Sequence, residues 1–130
     1  MDFRISRAAH AQILAEAAAS PTREVCGLLL GDGAEIKAAL PCPNVAADPA
    51  CTFEIDPQAL INVHKAARTG DPNILGCYHS HPNGRAEPSE TDRAMAEDNG
   101  WVWTIVADGA VTFWRVKGAG FIGVGVQIAE

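Results

Sequence analysis

The sequence contains no C-x-x-C pair, no cluster of lysine or arginine, and no apolar run approaching the roughly 18 residues that span a bilayer. Each absence removes a class of function. Asp2, Arg4 and Arg7 interrupt the first residues, so neither a secretory leader nor a membrane span is expected, and the chain reads as cytoplasmic with no membrane partner. Cys26, Cys42, Cys51 and Cys77 are irregularly spaced, which argues against a redox dithiol and against a cysteine zinc knuckle. Cys26 and Cys77 fall in apolar stretches, where a free cysteine behaves as a small hydrophobe rather than a nucleophile. The formal charge of −6, from 16 acidic and 10 basic residues, disfavours a nucleic-acid partner, because phosphate-backbone binding rests on many cationic contacts. A partner with a basic face suits it better.

What is present is the composition of an ordinary globular protein: 48% apolar and 20% charged over 130 residues, enough for one core, and a single domain over 1–130 is expected. Phe3 to Ser6 can start a strand, with Ser6 capping a helix from Arg7 to Ala19 that offers Ile13 and Leu14 to the core. Glu24 to Leu30 is a compact apolar run of strand length, followed by a turn at Gly31-Asp32-Gly33 and a returning strand from Ala34 to Leu40. Pro41 to Pro49 suits a loop and Cys51 to Ile55 another strand. Asp56-Pro57 then opens a helix to Arg68, with Ala59, Leu60, Val63 and Ala67 on one face. Ile74 to Ser80 reads as a strand, Pro82 to Pro88 as a loop and Ser89 to Asp98 as a helix. Trp101 to Val106, Ala110 to Lys117 and Phe121 to Ile128 complete the chain as strands, with Asp108-Gly109 at the first turn. Helices interleave with strands without a regular βαβ rhythm, and the last strands follow one another through short connections. The expected class is α/β close to α+β, with a mostly antiparallel mixed sheet flanked by helices.

The segment that carries chemistry is His79-Ser80-His81-Pro82 followed by Pro88-Ser89 and Asp92. Residues two apart on a strand share a face about 7 Å apart, so two imidazoles at that spacing can converge on one ion. Imidazole and carboxylate are ordinary zinc ligands, and three protein ligands with an open position describe a catalytic rather than a structural site. Ser89 and Asp92 share a helix face at i and i+3. Each residue also has a plain structural use. A histidine at a strand end is often a surface or hydrogen-bonded group, and Ser89 through Asp92 matches a helix capping box. It is the combination that points to a metal. His10 and His64 have no such company, and Trp101, Trp103 and Trp114 read first as core aromatics.

With those residues in place, the chain resembles the JAMM, or MPN-plus, metalloprotease family in its stand-alone bacterial form. The signature is a glutamate upstream of H-x-H-P, ten residues between the second histidine and an aspartate, and P-S shortly before that aspartate; here these are Glu24, His79, His81, Pro82, Pro88, Ser89 and Asp92. Glu24 to Gly31 is also similar to the first strand of the family. The resemblance spans nearly the whole chain and implies a cytidine-deaminase-like MPN architecture with one zinc per chain. His79, His81 and Asp92 are then the ligands, Glu24 the general base and acid, and Ser89 the hydrogen-bond donor to the developing oxyanion. The implied reaction is hydrolysis of an amide bond at the flexible Gly-Gly tail of a ubiquitin-like or sulfur-carrier protein. The short chain leaves little room for the insertions with which larger members grip ubiquitin chains.

Two other readings compete: a non-catalytic scaffold of the same fold, which the full set of ligand types opposes, and a phage-tail-type peptide hydrolase. A DNA-associated role is opposed by the net acidity and the missing basic patch.

Overall fold

A computed structural model describes residues 3–68, 73–118 and 120–129. In chain order the elements are β1 (Phe3–Ile5), α1 (Arg7–Ala19), β2 (Cys26–Asp32), β3 (Glu35–Cys42), α2 (Pro57–Arg68), β4 (Asn73–Ser80), α3 (Glu90–Met95), β5 (Val102–Ala107), β6 (Ala110–Lys117), β7 (Gly120–Gly123) and β8 (Val126–Ile128). The eight strands form one sheet in the order β7-β6-β5-β4-β2-β3-β1-β8. Pairing is antiparallel for β2 with β3 and β4 and for β6 with β5 and β7. It is parallel for β4 with β5 and for β1 with β3 and β8. The mixed sheet flanked by helices is the architecture expected from the sequence.

β2 lies at the centre of this sheet, and its unalternated apolar run follows from that position. Leu28 and Leu29, adjacent and therefore pointing to opposite faces, enter two separate cores. On one face α1 sets Ala9 and Ile13 against Ile5, Leu29, Ile36 and Tyr78. On the other α2 brings Val63 to Leu28 and Cys42. Tyr78 lies across from Gly27, where a Cβ would stand 2.4 Å from the tyrosine ring. Its hydroxyl donates to the Glu16 carboxylate at 2.9 Å, which fastens α1 to the sheet. Gly76 is a second obligatory glycine: a Cβ there would meet the Val102 carbonyl oxygen at 1.9 Å. The β5–β6 turn at Asp108-Gly109 has positive φ at both residues, 49° and 80°, the type I′ pattern that suits a hairpin's twist.

Three expectations are corrected. Phe121 to Ile128 is not one strand but two, on opposite edges of the sheet, with only Val124 and Gly125 between them. Three peptide links reach about 10 Å at most, whereas eight flat strands would be about 34 Å wide, so the sheet curls until its edges approach. Cys51 to Ile55 is a loop that makes one bridge, Asn44 with Ile55, because its backbone is tied to the Asn44 side chain rather than to a neighbouring strand. The helix after Ser89 ends at Met95, short of the expected Asp98: Ala96 is already extended, at φ −72° and ψ 141°.

Candidate metal centre

The centre is assembled where β4 ends. His79 is the penultimate residue of β4, and His81 follows the strand directly, its N–H donating to the Val106 carbonyl at 2.9 Å and so prolonging the ladder to β5. Both rings leave the same face, as the i, i+2 spacing requires, and their Nε2 atoms stand 3.0 Å apart. Asp92 arrives from α3, its Oδ2 lying 3.1 Å from His79 Nε2 and 3.0 Å from His81 Nε2.

The loop that returns the chain to this point is held by Thr112 on β6. The Thr112 hydroxyl donates to the Ala86 carbonyl at 2.7 Å and accepts from the Trp114 indole N–H at 2.8 Å. Ser89 then caps α3, and the capping box is complete: Ser89 Oγ accepts the Asp92 N–H at 3.0 Å, and Asp92 Oδ2 accepts the Ser89 N–H at 2.9 Å. Capping the helix and facing the two imidazoles are therefore not alternatives for Asp92: the same Oδ2 does both.

Glu24 stands just before β2, 5% exposed, and offers a carboxylate oxygen within 4.8 Å of ligand nitrogens on both His79 and His81. Both of its backbone groups are engaged: the N–H donates to the Pro49 carbonyl at 2.7 Å, and the carbonyl accepts from Asn44 Nδ2 at 2.9 Å. Val25, next in the chain, donates its N–H to the Ser80 hydroxyl at 2.9 Å and accepts the Ser80 N–H at 3.0 Å. The residue between the two histidines thus sets the glutamate's approach.

Burial pushes the Glu24 carboxyl up to about 7; the His81 charge opposes the rise and the Asp92 charge adds to it. Burial also raises Asp92, but hydrogen bonds from the two imidazoles and from the Ser89 N–H outweigh it and hold the carboxylate well below its usual range. His79 is lowered by complete burial despite Asp92 beside it. His81 is lowered by burial but raised more by Asp92 and by the Arg85 carbonyl, and the net direction is up.

These contacts test whether a metal suits the site. His81 Nδ1 lies 2.7 Å from the Arg85 carbonyl oxygen, which can only accept, so Nδ1 carries a proton. In the neutral ring the Nε2 lone pair then faces both the Asp92 carboxylate and the other imidazole nitrogen. Protons can bridge only part of such a triangle of acceptors, whereas one cation satisfies all three. Two imidazoles and a carboxylate, nearly fully buried, fit zinc in type and number. His79 Nδ1 and Glu24 Oε1 are buried with no partner among the described residues. His79 is oriented by stacking, its ring 4.3 Å from that of Phe53 at 20°, rather than by the second hydrogen bond that usually orients a ligand imidazole.

Residues 6–117 match the family of prokaryotic homologs of the JAB domain, which covers most of the chain. The chain belongs to this family. It is 37% identical over 130 residues to the desampylase of Haloferax volcanii, an alignment covering 98% of this chain and 92% of that one. It is also 40% identical over 58 residues to a probable TtuB-protein conjugate cleaving protease of Thermus thermophilus, covering 45% of this chain and 39% of that protein. With these relatives the expectation of a JAMM-type enzyme holds for the JAB-family chain. Among solved structures it is similar to protein DSY2949 of Desulfitobacterium hafniense, at a TM-score of 0.84 and 26% identity over 100% of this chain and 94% of that one. It shares its fold with a structure described as a JAMM metalloprotease-like zinc site in the proteasome and signalosome, at a TM-score of 0.62 and 20% identity over 97% and 98% of the two chains.

The structure brings Glu24, His79, His81 and Asp92 together, with Ser89 at the cap beside them, and leaves His10 and His64 outside the group. Trp103 is buried in the core, with Trp101 and Trp114 packed against it. Three positioning residues escaped the sequence reading: Ser80, Asn44 and Phe53. Ser80 was visible only as the variable position of H-x-H. Asn44 and Phe53 act across 20 and 26 residues of sequence, on Glu24 and His79 respectively, and no local pattern marks them.

Proposed function

We propose that this JAB-family chain is a zinc-dependent peptidase or isopeptidase that hydrolyses an amide bond at the C-terminal tail of a ubiquitin-like or sulfur-carrier protein, with one zinc per chain held by His79, His81 and Asp92. The observation that carries the reading is the buried triangle of two imidazole nitrogens and one carboxylate oxygen, none more than 3.1 Å from another, with the Glu24 carboxylate facing it. Bound there, zinc would supply Lewis acidity to a water molecule and to the scissile carbonyl. Glu24 takes a proton from the attacking water and hands it to the departing amine, and a carboxyl raised to about 7 can hold and release a proton at neutral pH. The Ser89 Oγ already accepts the Asp92 N–H, so its own proton is free to be donated to the developing oxyanion.

A tail is accommodated by a groove of about 440 Å³ that runs past His81 between Ala17 and Ala18 of α1 and the Asp108-Gly109 turn. Ala17, Ala18, Ser20, Gly84, Ala107 and Gly109 in its lining leave room for a Gly-Gly end, and the desampylase and TtuB-conjugate relatives support a ubiquitin-like substrate. A phage-tail-type peptide hydrolase is the second reading, favoured by 32% identity over 95 residues to the tail tip assembly protein K of Escherichia phage N15. That match covers 73% of this chain and 37% of the phage protein.

Metal analysis of the purified protein, paired with cleavage of a ubiquitin-like conjugate by wild type and Glu24→Gln, tests the proposal. Near-stoichiometric zinc in both, with turnover lost only in the variant, is expected. A Glu24→Gln protein of normal activity sinks it, as does a wild type that binds no zinc.

A further inference from the structure

Glu24 precedes β2 by two residues, so its backbone lies outside the regular ladder. The two peptide units that meet at its Cα are nevertheless bonded at all four of their polar groups. On one side the Arg23 carbonyl accepts from Ser20 Oγ at 3.0 Å, and the Glu24 N–H donates to the Pro49 carbonyl at 2.7 Å. On the other the Glu24 carbonyl accepts from Asn44 Nδ2 at 2.9 Å, and the Val25 N–H donates to Ser80 Oγ at 2.9 Å. Three of these four partners are side chains. A peptide unit is planar, so holding two successive planes fixes the φ and ψ of the residue between them.

The Glu24 carboxylate depends on that restraint. Its Oε1 is buried without a hydrogen-bond partner among the described residues, so no bond to that oxygen steers the group, and its place follows from backbone and packing. Displacing a reacting group by about 1 Å can cost about 10²-fold in rate. Of the three side chains in the clamp, Ser20 comes from outside the sheet. It is the C-cap of α1, its own N–H donating to the Ala17 carbonyl at 3.2 Å, and Pro21 fixes φ as the chain turns back to Arg23. It also stands between two cavities: the groove that reaches His81, and a second of about 460 Å³ that Glu24 lines, with Ser20 in both walls.

Resting on the reaction proposed above, we propose that Ser20 is a positioning residue for Glu24: its hydroxyl holds the Arg23–Glu24 peptide unit, and through it the carboxylate, where the proton is carried. Two rival roles leave different marks. A substrate contact made from between the cavities would act on KM. A part in ending α1 would act on global stability. The clamp acts on kcat, with KM and zinc content unchanged, because neither the ligands nor the bound tail depends on it.

Steady-state cleavage of a ubiquitin-like conjugate by the zinc-loaded full chain, with amide hydrogen exchange followed by NMR on the same samples, tests this. Ser20→Ala is expected to lower kcat by about 10- to 100-fold at wild-type KM and zinc content. It should also speed exchange of the Glu24 amide by about fivefold, the net worth of one hydrogen bond, while protection across β4 and β5 is unchanged. Ser20→Thr keeps the hydroxyl and should restore both. Ser6→Ala uncaps the opposite end of α1 and should lower the melting temperature without altering kcat or the Glu24 amide. If no conjugate is cleaved, yet the Glu24 amide responds to Ser20→Ala and not to Ser6→Ala, the reaction is wrong and the clamp stands. Wild-type kcat in Ser20→Ala, a change confined to KM, or an equal response to Ser6→Ala overturns the inference.

Discussion

At the residue scale, Glu24 combines burial with proximity to two histidines, and its protonation is tied to stability. Its pKa in the fold is about 7, above the 4.5 of an unperturbed carboxyl, so folding takes up a proton between those values. The neutral form is the one the fold prefers. This contribution to the stability of the metal-free protein is therefore fully present below about pH 4.5, falls as pH rises toward 7 and is lost above it. Glu24→Gln should remove this part of the slope and be more stable than wild type at pH 8, as denaturant titrations at several pH values would reveal; parallel curves for the two proteins would contradict it. Ser89 separates differently, because the proposed reaction adds a second job to its capping of α3. Ser89→Ala should lower turnover by roughly 10²–10³ through the lost oxyanion donor and stability by about 1 kcal/mol through the lost cap. A variant that loses only the stability would assign Ser89 to the helix alone. Both roles are compatible with the S-x-x-D pattern, which is why the sequence could not separate them.

At the scale of elements, the centre depends on how the start of β2 is pinned to the end of β4. The Ser80 hydroxyl is the acceptor for the Val25 N–H, and Asn44 holds the Glu24 carbonyl from the other side. Ser80→Ala leaves that N–H without its partner, at a cost of about 1–3 kcal/mol. It should also cut turnover while zinc content stays near wild type, since neither histidine nor Asp92 is touched. Zinc analysis beside a thermal melt and a rate measurement would check all three. The two-residue histidine spacing and the strand beneath it were legible, because β4 is regular and period two fixes which side chains share a face. The loop from Pro43 to Ile55 was not. It passes Phe53 across the His79 ring and presents Asn44 to Glu24 through contacts that no repeat or turn signal foreshadows.

At the scale of the whole molecule, the curled sheet gathers the centre from two stretches far apart in the chain, the α1–β2 connection and the run from the end of β4 through the following loop to the start of α3. A cation at their meeting point should cross-link them. Free zinc at about 100 times its dissociation constant would add about 2.7 kcal/mol to the stability of the folded state. Titration with zinc should accordingly raise the melting temperature of the metal-free protein and leave that of His81→Ala unmoved. An equal shift in both would place the binding elsewhere.

The sequence by itself determined the histidine and carboxylate residues of the centre and their intervals, the apolar central strand, the capping of two helices and the family, since these depend on local periodicity and on residues close in the chain. Only the tertiary structure decided that the last strands part to opposite edges of a curled sheet, that Ser80, Asn44 and Phe53 position the reactive groups, and that Glu24 and His81 open onto different cavities. Those outcomes are set by long-range packing and by the satisfaction of buried backbone groups, which no local pattern in the chain encodes.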